Sequence, residues 1–175
     1  MTLIINLIGP PGTGKSTLAS EIFAKLKWAG VDCELVSEFA KELVWEQRHE
    51  TMKDELYLFA KQNHRLFRVN GKVDVIITDR PLILSVLYND LYGDQSKQFT
   101  DLVLHEVRKY RNCNILLNRT KPYKENGRLQ SEAESNQMYQ AIESILTRYN
   151  EKYTVLDANS ESADLIVQDI ISSLE

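Results

Sequence analysis

Residues 9–16 of the chain fit the pattern G-x-x-x-x-G-K-[ST] without a mismatch. In such a loop, glycines let backbone N–H groups turn towards phosphate oxygens, and the following helix adds its N-terminal dipole. Lys15 is expected to reach the β- and γ-phosphates, and the Ser16 hydroxyl to ligate Mg²⁺. The pattern predicts a bound nucleoside triphosphate, with Mg-ATP as the expected ligand. The residues expected to bind it are Gly9, Pro10, Pro11, Gly12, Thr13, Gly14, Lys15, Ser16 and Thr17.

The sequence around this loop has the order of a strand, a loop and a helix. The apolar run Leu3–Ile8 precedes it, and apolar residues at helical spacing follow from Thr17 to Trp28. This context favours a phosphate-binding loop over a glycine-rich turn that binds nothing.

Two carboxylates follow predicted strands, at the edge where parallel α/β sheets bind their ligands. Asp79 closes the apolar segment Val73–Thr78, where a carboxylate can hold Mg²⁺ or orient an acceptor. The alternative for Asp79 is an N-cap of the helix that starts near Leu82. Glu38 follows the second strand, where it can accept the proton of an attacking hydroxyl or bind metal. Its alternative is a favourable acid in the first turn of a helix.

Three arginines are candidates for contacts to phosphate or acceptor. Arg80, next to Asp79, offers a planar fork of donors to an acceptor, with a surface ion pair as the alternative. Residues 119–134 form a polar stretch in which Arg119 and Arg128 are suited to bind a transferring phosphoryl group. We expect this stretch to be a lid that excludes water, against the alternative of a solvated basic loop.

Aromatic side chains together with one amide are what a nucleobase or pyridine ring needs for binding. Trp45, Tyr88 and Gln62 lie on helices predicted to surround the acceptor cleft, whereas Tyr57 and Tyr92 are interpreted as core residues. Gln62 falls outside the apolar face predicted for its helix, so it is either a surface residue or a substrate contact. That predicted face comprises Leu56, Phe59, Ala60, Asn63, Leu66 and Phe67.

The elements that must position these residues alternate between strands and helices. Strands are predicted at Leu3–Ile8, Cys33–Val36, Val73–Thr78, Asn114–Asn118 and Tyr153–Leu156. Helices are predicted at Thr17–Trp28, Glu38–Gln47, Asp54–Val69, Leu82–Tyr92, Gln98–Tyr110, Ser135–Tyr149 and Ser162–Leu174. This alternation indicates right-handed βαβ units. The expected α/β fold is a three-layer αβα sandwich with a five-stranded parallel sheet, in one P-loop domain over residues 1–175.

Composition narrows the possible partners and the compartment. A net charge of −4 and a pI near 5.5 make a nucleic-acid partner unlikely, because such binding needs a basic surface. No apolar stretch approaches the length of a membrane span, and no signal peptide is evident. Cys33 and Cys113 fit no metal motif and are interpreted as buried, reduced thiols, so we expect a cytoplasmic protein.

With these residues assembled, the chain resembles the small P-loop AAA-type kinases related to the ribosylnicotinamide kinase domain of bacterial NAD regulators. Lys41 stands where that family usually has an arginine. In outline, the chain also resembles deoxynucleoside kinases and nucleoside monophosphate kinases. The residues that carry the resemblance are the segments 9–17, 37–42 and 78–81, Gln62, Tyr88 and the lid segment 122–131.

The resemblance implies transfer of the γ-phosphoryl group of ATP to a nucleoside-like acceptor, with nicotinamide riboside as the leading candidate. Glu38 would orient or deprotonate the acceptor, while Arg80 and Gln62 would position it. Lys15 and the two lid arginines would stabilise the transferring group, and Ser16 with Asp79 would hold Mg²⁺.

Two other functions stay open at this point. The first is a nucleoside monophosphate kinase, which needs extra cations in the acceptor site and would draw them from Lys41, Arg48 and Arg65. The second is a regulatory module that binds ATP to control a partner without turning over an acceptor.

Overall fold

The computed structural model describes residues 2–124 and 131–174, and in them strands and helices alternate along the chain. The strands are β1 (Leu3–Ile8), β2 (Cys33–Val36), β3 (Val75–Thr78), β4 (Arg111–Asn118) and β5 (Thr154–Asp157). The helices are α1 (Lys15–Trp28), α2 (Ala40–Trp45), α3 (Glu55–Phe67), α4 (Leu84–Tyr92), α5 (Lys97–Val107), α6 (Glu132–Arg148) and α7 (Ser160–Leu174). The predicted α/β class is therefore confirmed.

The strands form one parallel five-stranded sheet in the order β2-β3-β1-β4-β5. β1 lies in the middle, with β3 on one side and β4 on the other. Because all strands run in the same direction, the segments that follow β1, β2 and β3 emerge at one edge of the sheet. These are the segments that carry the phosphate loop, Glu38 and Asp79.

Helices cover both faces of the sheet, as β1 itself shows. Ile4 and Ile8 pack into a core with α3, α4, α5 and α6, whereas Ile5 and Leu7 pack into a second core with α1 and α7. Alternate side chains of a strand point to opposite faces, so a strand covered on both sides reads as a continuous apolar run. The predicted three-layer sandwich and five-stranded parallel sheet are confirmed.

Helix α3 buries only part of its predicted apolar face, because Phe59 and Leu66 are buried as expected but other members of that face are exposed. Leu56 and Phe67 are 57% and 68% exposed, whereas Leu58, Gln62 and Leu66 are buried. The prediction was wrong for Leu56 and Phe67, and it placed Gln62 outside the buried face. Its amide is accommodated there by hydrogen bonds to backbone groups of the segment after β2.

Four further expectations can be compared with the structure. Tyr92 is 62% exposed, so its interpretation as a core residue was wrong. Helix α6 begins at Glu132, inside the stretch predicted as a lid, because Ser131 and Glu134 form a capping box. Cys33 is buried and Cys113 is half-buried, and both are free thiols.

In the part of the chain that the structure describes, no helix is both long enough and apolar enough to cross a membrane.

Candidate functional site

The phosphate loop connects the middle strand β1 to helix α1. Gly14 has a φ of 108°, in the left-handed region that glycine adopts without strain, and a Cβ at this position would lie 3.3 Å from the Ala158 Cβ. Helix α1 begins at Lys15, has no side-chain cap and carries no acid in its first turn. Its first N–H groups have no partner within the helix, which is the arrangement that binds anions at helix N-termini.

Two side chains of the loop bind carbonyl oxygens of the loop itself. Lys15 Nζ donates to the carbonyl oxygens of Gly9 at 2.8 Å and of Pro10 at 2.9 Å. The buried Thr13 hydroxyl donates to the Pro10 carbonyl at 2.8 Å, so it braces the loop from inside. Pro10 and Pro11 have no N–H, so these two positions of the loop supply no backbone donor.

The segment after β5 and helix α6 lie against the phosphate loop. The buried Ser135 of α6 donates its hydroxyl to the Pro11 carbonyl at 2.8 Å. Thr120 donates to the Ala158 carbonyl at 2.8 Å, and Ala158 faces Gly14. The chain segments on both sides of residues 125–130 are therefore tied to the loop or to its neighbour.

Asp79 lies at the end of β3 and is 5% exposed. Its Oδ1 accepts a hydrogen bond from the Glu38 backbone N–H at 3.0 Å. Helix α4 begins at Leu84 after Ile83, without a side-chain cap. The alternative in which Asp79 caps this helix is therefore wrong, and its carboxylate joins the ends of β3 and β2 instead.

Arg80 is buried between two carboxylates, and its exposure is only 6%. Its Nε lies 3.5 Å from Glu38 Oε1, and its Nη2 lies 3.4 Å from Glu55 Oε1. The guanidinium stacks on the Tyr88 ring, with Cζ 4.4 Å from the ring centroid. The surface ion pair considered for Arg80 is thus wrong. We call Glu38, Glu55, Arg80 and Tyr88 the Arg80 cluster.

Glu55 is a member of this cluster that sequence reasoning missed. It is the first residue of α3 and follows the N-cap Asp54, so in the sequence it looks like an ordinary acid in a helix's first turn. Burial raises the pKa of the Glu55 carboxyl, and the neighbouring Arg80 guanidinium and the Ser85 hydroxyl act in the opposite direction. Burial likewise raises the pKa of the Tyr88 phenol far above its ordinary value.

The segment that carries Glu38 is held from the side of α3. Gln62 accepts from the Phe39 N–H at 3.0 Å and donates to the Ser37 carbonyl at 3.3 Å. Arg65 donates to the same Ser37 carbonyl at 3.3 Å and pairs with Glu42 at 2.6 Å. Gln62 is therefore buried and holds the end of β2 in place, so its interpretation as a surface residue was wrong.

The two aromatic residues predicted to contact the acceptor, Tyr88 and Trp45, have different surroundings. Tyr88 belongs to the Arg80 cluster and stacks with Tyr92 at 6.1 Å between ring centroids. Trp45 is 71% exposed at the end of α2 and is not buried with the cluster. Phe39, next to Glu38, packs edge-on against Tyr57 at 5.7 Å.

Arg119 follows β4 and faces helix α6 in this structure. It donates to Glu132 at 2.8 Å and to Asn136 at 2.9 Å, and its guanidinium lies 5.2 Å from the centroid of the Tyr123 ring. Arg128, the other predicted lid arginine, lies outside the described residues. In the ranges 2–124 and 131–174, no group of three or more His, Cys, Asp or Glu residues is arranged to hold a metal ion.

The central sheet, the glycine-rich loop and the uncapped helix define a P-loop nucleotide-binding α/β domain. Residues 4–163 match the family model described as AAA domain, so the chain belongs to this family. No curated protein matches the chain.

Among solved structures, the fold is similar to a NadR protein in complex with NAD and AMP-PNP, with a TM-score of 0.67 and 14% identity over 95% of this chain and 49% of that one. It is also similar to a NadR protein in complex with NR, with a TM-score of 0.64 and 16% identity over 89% of this chain and 43% of that one. The chain spans less than half the length of each of these proteins. At these identities the likeness is one of fold.

Proposed function

We propose that this chain is an ATP-dependent phosphotransferase that moves the γ-phosphoryl group of ATP to a hydroxyl of a nucleoside-like acceptor. The observation that carries the proposal is the pairing of Glu38 with the buried Arg80, beside Asp79 and at the sheet edge where the phosphate loop emerges. ATP binding alone requires no such carboxylate. A kinase uses one to orient the attacking hydroxyl and to accept its proton.

Each part of the loop has a role in this reaction. Lys15 exchanges the loop carbonyls for the β- and γ-phosphate oxygens, and the first N–H groups of α1 bind the same anion. Bound Mg²⁺ would neutralise charge on those oxygens, and the exposed Ser16 hydroxyl with Asp79 Oδ2 would hold it. Arg119 and Arg128 are the cations proposed to stabilise the transferring group from the lid side, for which Arg119 must release Glu132 and Asn136.

Glu38 is positioned to act on the acceptor because contacts hold its backbone, its side chain and its neighbour Phe39. Asp79 binds its N–H, Gln62 binds its neighbour Phe39, and Arg80 faces its carboxylate. Most of the rate enhancement in phosphoryl transfer comes from positioning and electrostatic stabilisation. A carboxylate anchored in this way supplies the positioning.

The charges around the cluster favour a nucleoside over a nucleoside monophosphate. The carboxylates of Glu38 and Glu55 outnumber the single Arg80 guanidinium, so a phosphate dianion would be repelled. Arg65 is already paired with Glu42, and Arg48 with Glu46. Nicotinamide riboside, with its cationic pyridinium ring, suits this charge, and a NadR structure of similar fold was solved in complex with NR.

The experiment that tests the proposal is ADP formation from Mg-ATP with nicotinamide riboside, adenosine and cytidine, and with the monophosphate of each. We expect a nucleoside-dependent rate, with each monophosphate at least about tenfold slower because of the repulsion described above. A faster rate with monophosphates would make the chain a nucleoside monophosphate kinase. Tight ATP binding with no acceptor-dependent ADP formation would replace the kinase by an ATP-binding regulatory module.

A further inference from the structure

The three guanidinium nitrogens of Arg80 have different surroundings. Nε faces Glu38 at 3.5 Å and Nη2 faces Glu55 at 3.4 Å. Nη1 is buried and has no hydrogen-bond partner in residues 2–124 and 131–174. The Arg80 side chain is 8% exposed, so bulk water does not freely supply the missing partner.

A buried charged donor without a partner is costly, and native structures rarely contain one without a reason. The plane of the guanidinium is held by the Tyr88 ring beneath it and by the carboxylates at its edges. Nη1 therefore cannot turn away to find another acceptor. It lies in the same plane as the two nitrogens that face Glu38 and Glu55, because a guanidinium is flat.

Glu55 is the other half of this arrangement. Its side chain is 12% exposed, and its ion pair with Arg80 is long, at 3.4 Å. A carboxylate has about four lone-pair sites, so after its contacts with Arg80 Nη2 and the Ser85 hydroxyl Glu55 retains acceptor capacity beside a donor that needs an acceptor. A hydroxyl group fits such a pair, because it donates one hydrogen bond and accepts another. A phosphate would satisfy Nη1, but the Glu55 carboxylate would repel it.

We propose that Glu55 and Arg80 Nη1 together bind a sugar hydroxyl of the acceptor, different from the hydroxyl that attacks ATP at Glu38. The hydroxyl donates to the Glu55 carboxylate and accepts from Nη1. Arg80 then bridges two carboxylates, each of which holds one hydroxyl of the same sugar. This assignment rests on the proposed function in one respect, since it places the acceptor in the Arg80 cluster. It makes Glu55 a specificity-determining residue for polyhydroxylated acceptors of the ribonucleoside class.

Binding, measured without turnover, tests this subsite directly. Calorimetric titrations in the presence of Mg²⁺ and AMP-PNP would use nicotinamide riboside, adenosine and cytidine, followed by the 2′-deoxy and 3′-deoxy forms of adenosine and cytidine. We expect the wild-type protein to bind one of the two deoxy forms about tenfold or more weakly. A site that hydrogen-bonds a hydroxyl discriminates strongly against an analogue without it.

The variant Glu55→Gln keeps the shape of the side chain and removes its charge. We expect it to bind the parent ribonucleoside about tenfold more weakly and to lose the distinction between that compound and its deoxy form. AMP-PNP affinity should stay at the wild-type value, since Glu55 is outside the phosphate loop. Glu50→Gln is the matched control, because Glu50 is exposed and pairs only with Lys53 among the contacts of the described residues. It should leave all these affinities unchanged.

Equal binding of parent and deoxy nucleosides by the wild-type protein would overturn the subsite without recourse to any variant. Wild-type affinities in a folded Glu55→Gln protein would also overturn it, and so would failure of the wild-type protein to bind any of the nucleosides. ADP formation separates this proposal from the previous one. Hydroxyl-dependent binding without ADP formation would retain the subsite and reject the kinase. ADP formation that changes neither in Glu55→Gln nor with deoxy acceptors would retain the kinase and reject the subsite.

Discussion

Lys15 is the residue on which nucleotide affinity depends most directly. Its ammonium bonds two loop carbonyls at 2.8 and 2.9 Å, and these are partners that phosphate oxygens replace. Hydrogen bonds to charged groups contribute about 1.5–3 kcal/mol each. We therefore expect Lys15→Ala to weaken ATP binding by about 10- to 100-fold in equilibrium titrations. Lys97→Ala, which removes an exposed lysine paired with Asp101, should leave the affinity unchanged. Equal affinities for the two variants would remove Lys15 from the binding site.

Glu38 is the residue that separates a kinase from an ATP-binding module. General-base contributions are about 10²- to 10⁴-fold in rate. We expect Glu38→Gln to lower the kcat for ADP formation by about this factor while the ATP affinity stays at the wild-type value. The control is Glu46→Gln, because Glu46 is an exposed acid directly after helix α2. An unchanged kcat in Glu38→Gln would exclude Glu38 from the reaction.

At the scale of the elements, helix α3 determines where the segment after β2 lies. Gln62 satisfies one N–H and one carbonyl of that segment, and an apolar replacement leaves both without this partner. We expect Gln62→Leu to lower the free energy of unfolding by about 2 kcal/mol and the kcat by about tenfold, because Glu38 loses its position. Denaturant titration and ADP assays measure the two effects. Gln140→Leu, at an exposed position of α6, is the control. Retention of full kcat by Gln62→Leu would show that Glu38 does not need this brace.

The contact between helix α6 and the phosphate loop is the second link between elements. Ser135 donates to the Pro11 carbonyl, in a part of the loop that has no N–H at two successive positions. A hydrogen bond of this kind contributes about 0.5–1.5 kcal/mol, so Ser135→Ala should weaken ATP binding by about 2- to 12-fold. Ser144→Ala changes an exposed serine on the same helix and should have no effect. The outcome that contradicts this role is equal ATP affinity in both variants.

For the whole molecule, ligand binding to the central loop should stabilise both cores, because β1 contributes residues to each of them. At an ATP concentration of 100 times the Kd, mass action adds about 2.7 kcal/mol to the stability. For a chain of 175 residues this corresponds to an increase in Tm of about 5–10 °C. Thermal unfolding with and without Mg-ATP measures it. The Lys15→Ala variant should show a much smaller shift at the same concentration, and an equal shift would place the nucleotide elsewhere.

Several properties of this protein follow from local sequence alone. The phosphate loop is recognisable because its chemistry needs particular residue types at fixed spacing, over a span of a few residues. Strands β1 and β3 are recognisable because strands buried on both faces are continuous apolar runs, and the alternation of strand-like and helical segments indicates the others. Strand order was not predictable in this way, but the expectation that Glu38, Asp79 and Arg80 share one edge followed from parallel strands.

Only the tertiary structure decided which polar side chains meet inside the protein. Glu55 and Gln62 lie on α3, and from the sequence the first looks like a helix-start acid and the second like a surface residue or a substrate contact. Their burial follows from the packing of α3 beside the strand ends, and their partners Arg80, Ser37 and Phe39 lie 23 to 25 residues away. Hydrogen bonds between such distant positions leave no periodic signal in the sequence. They exist because burial of the core brings these groups together, and a buried polar group is stable only where a partner meets it.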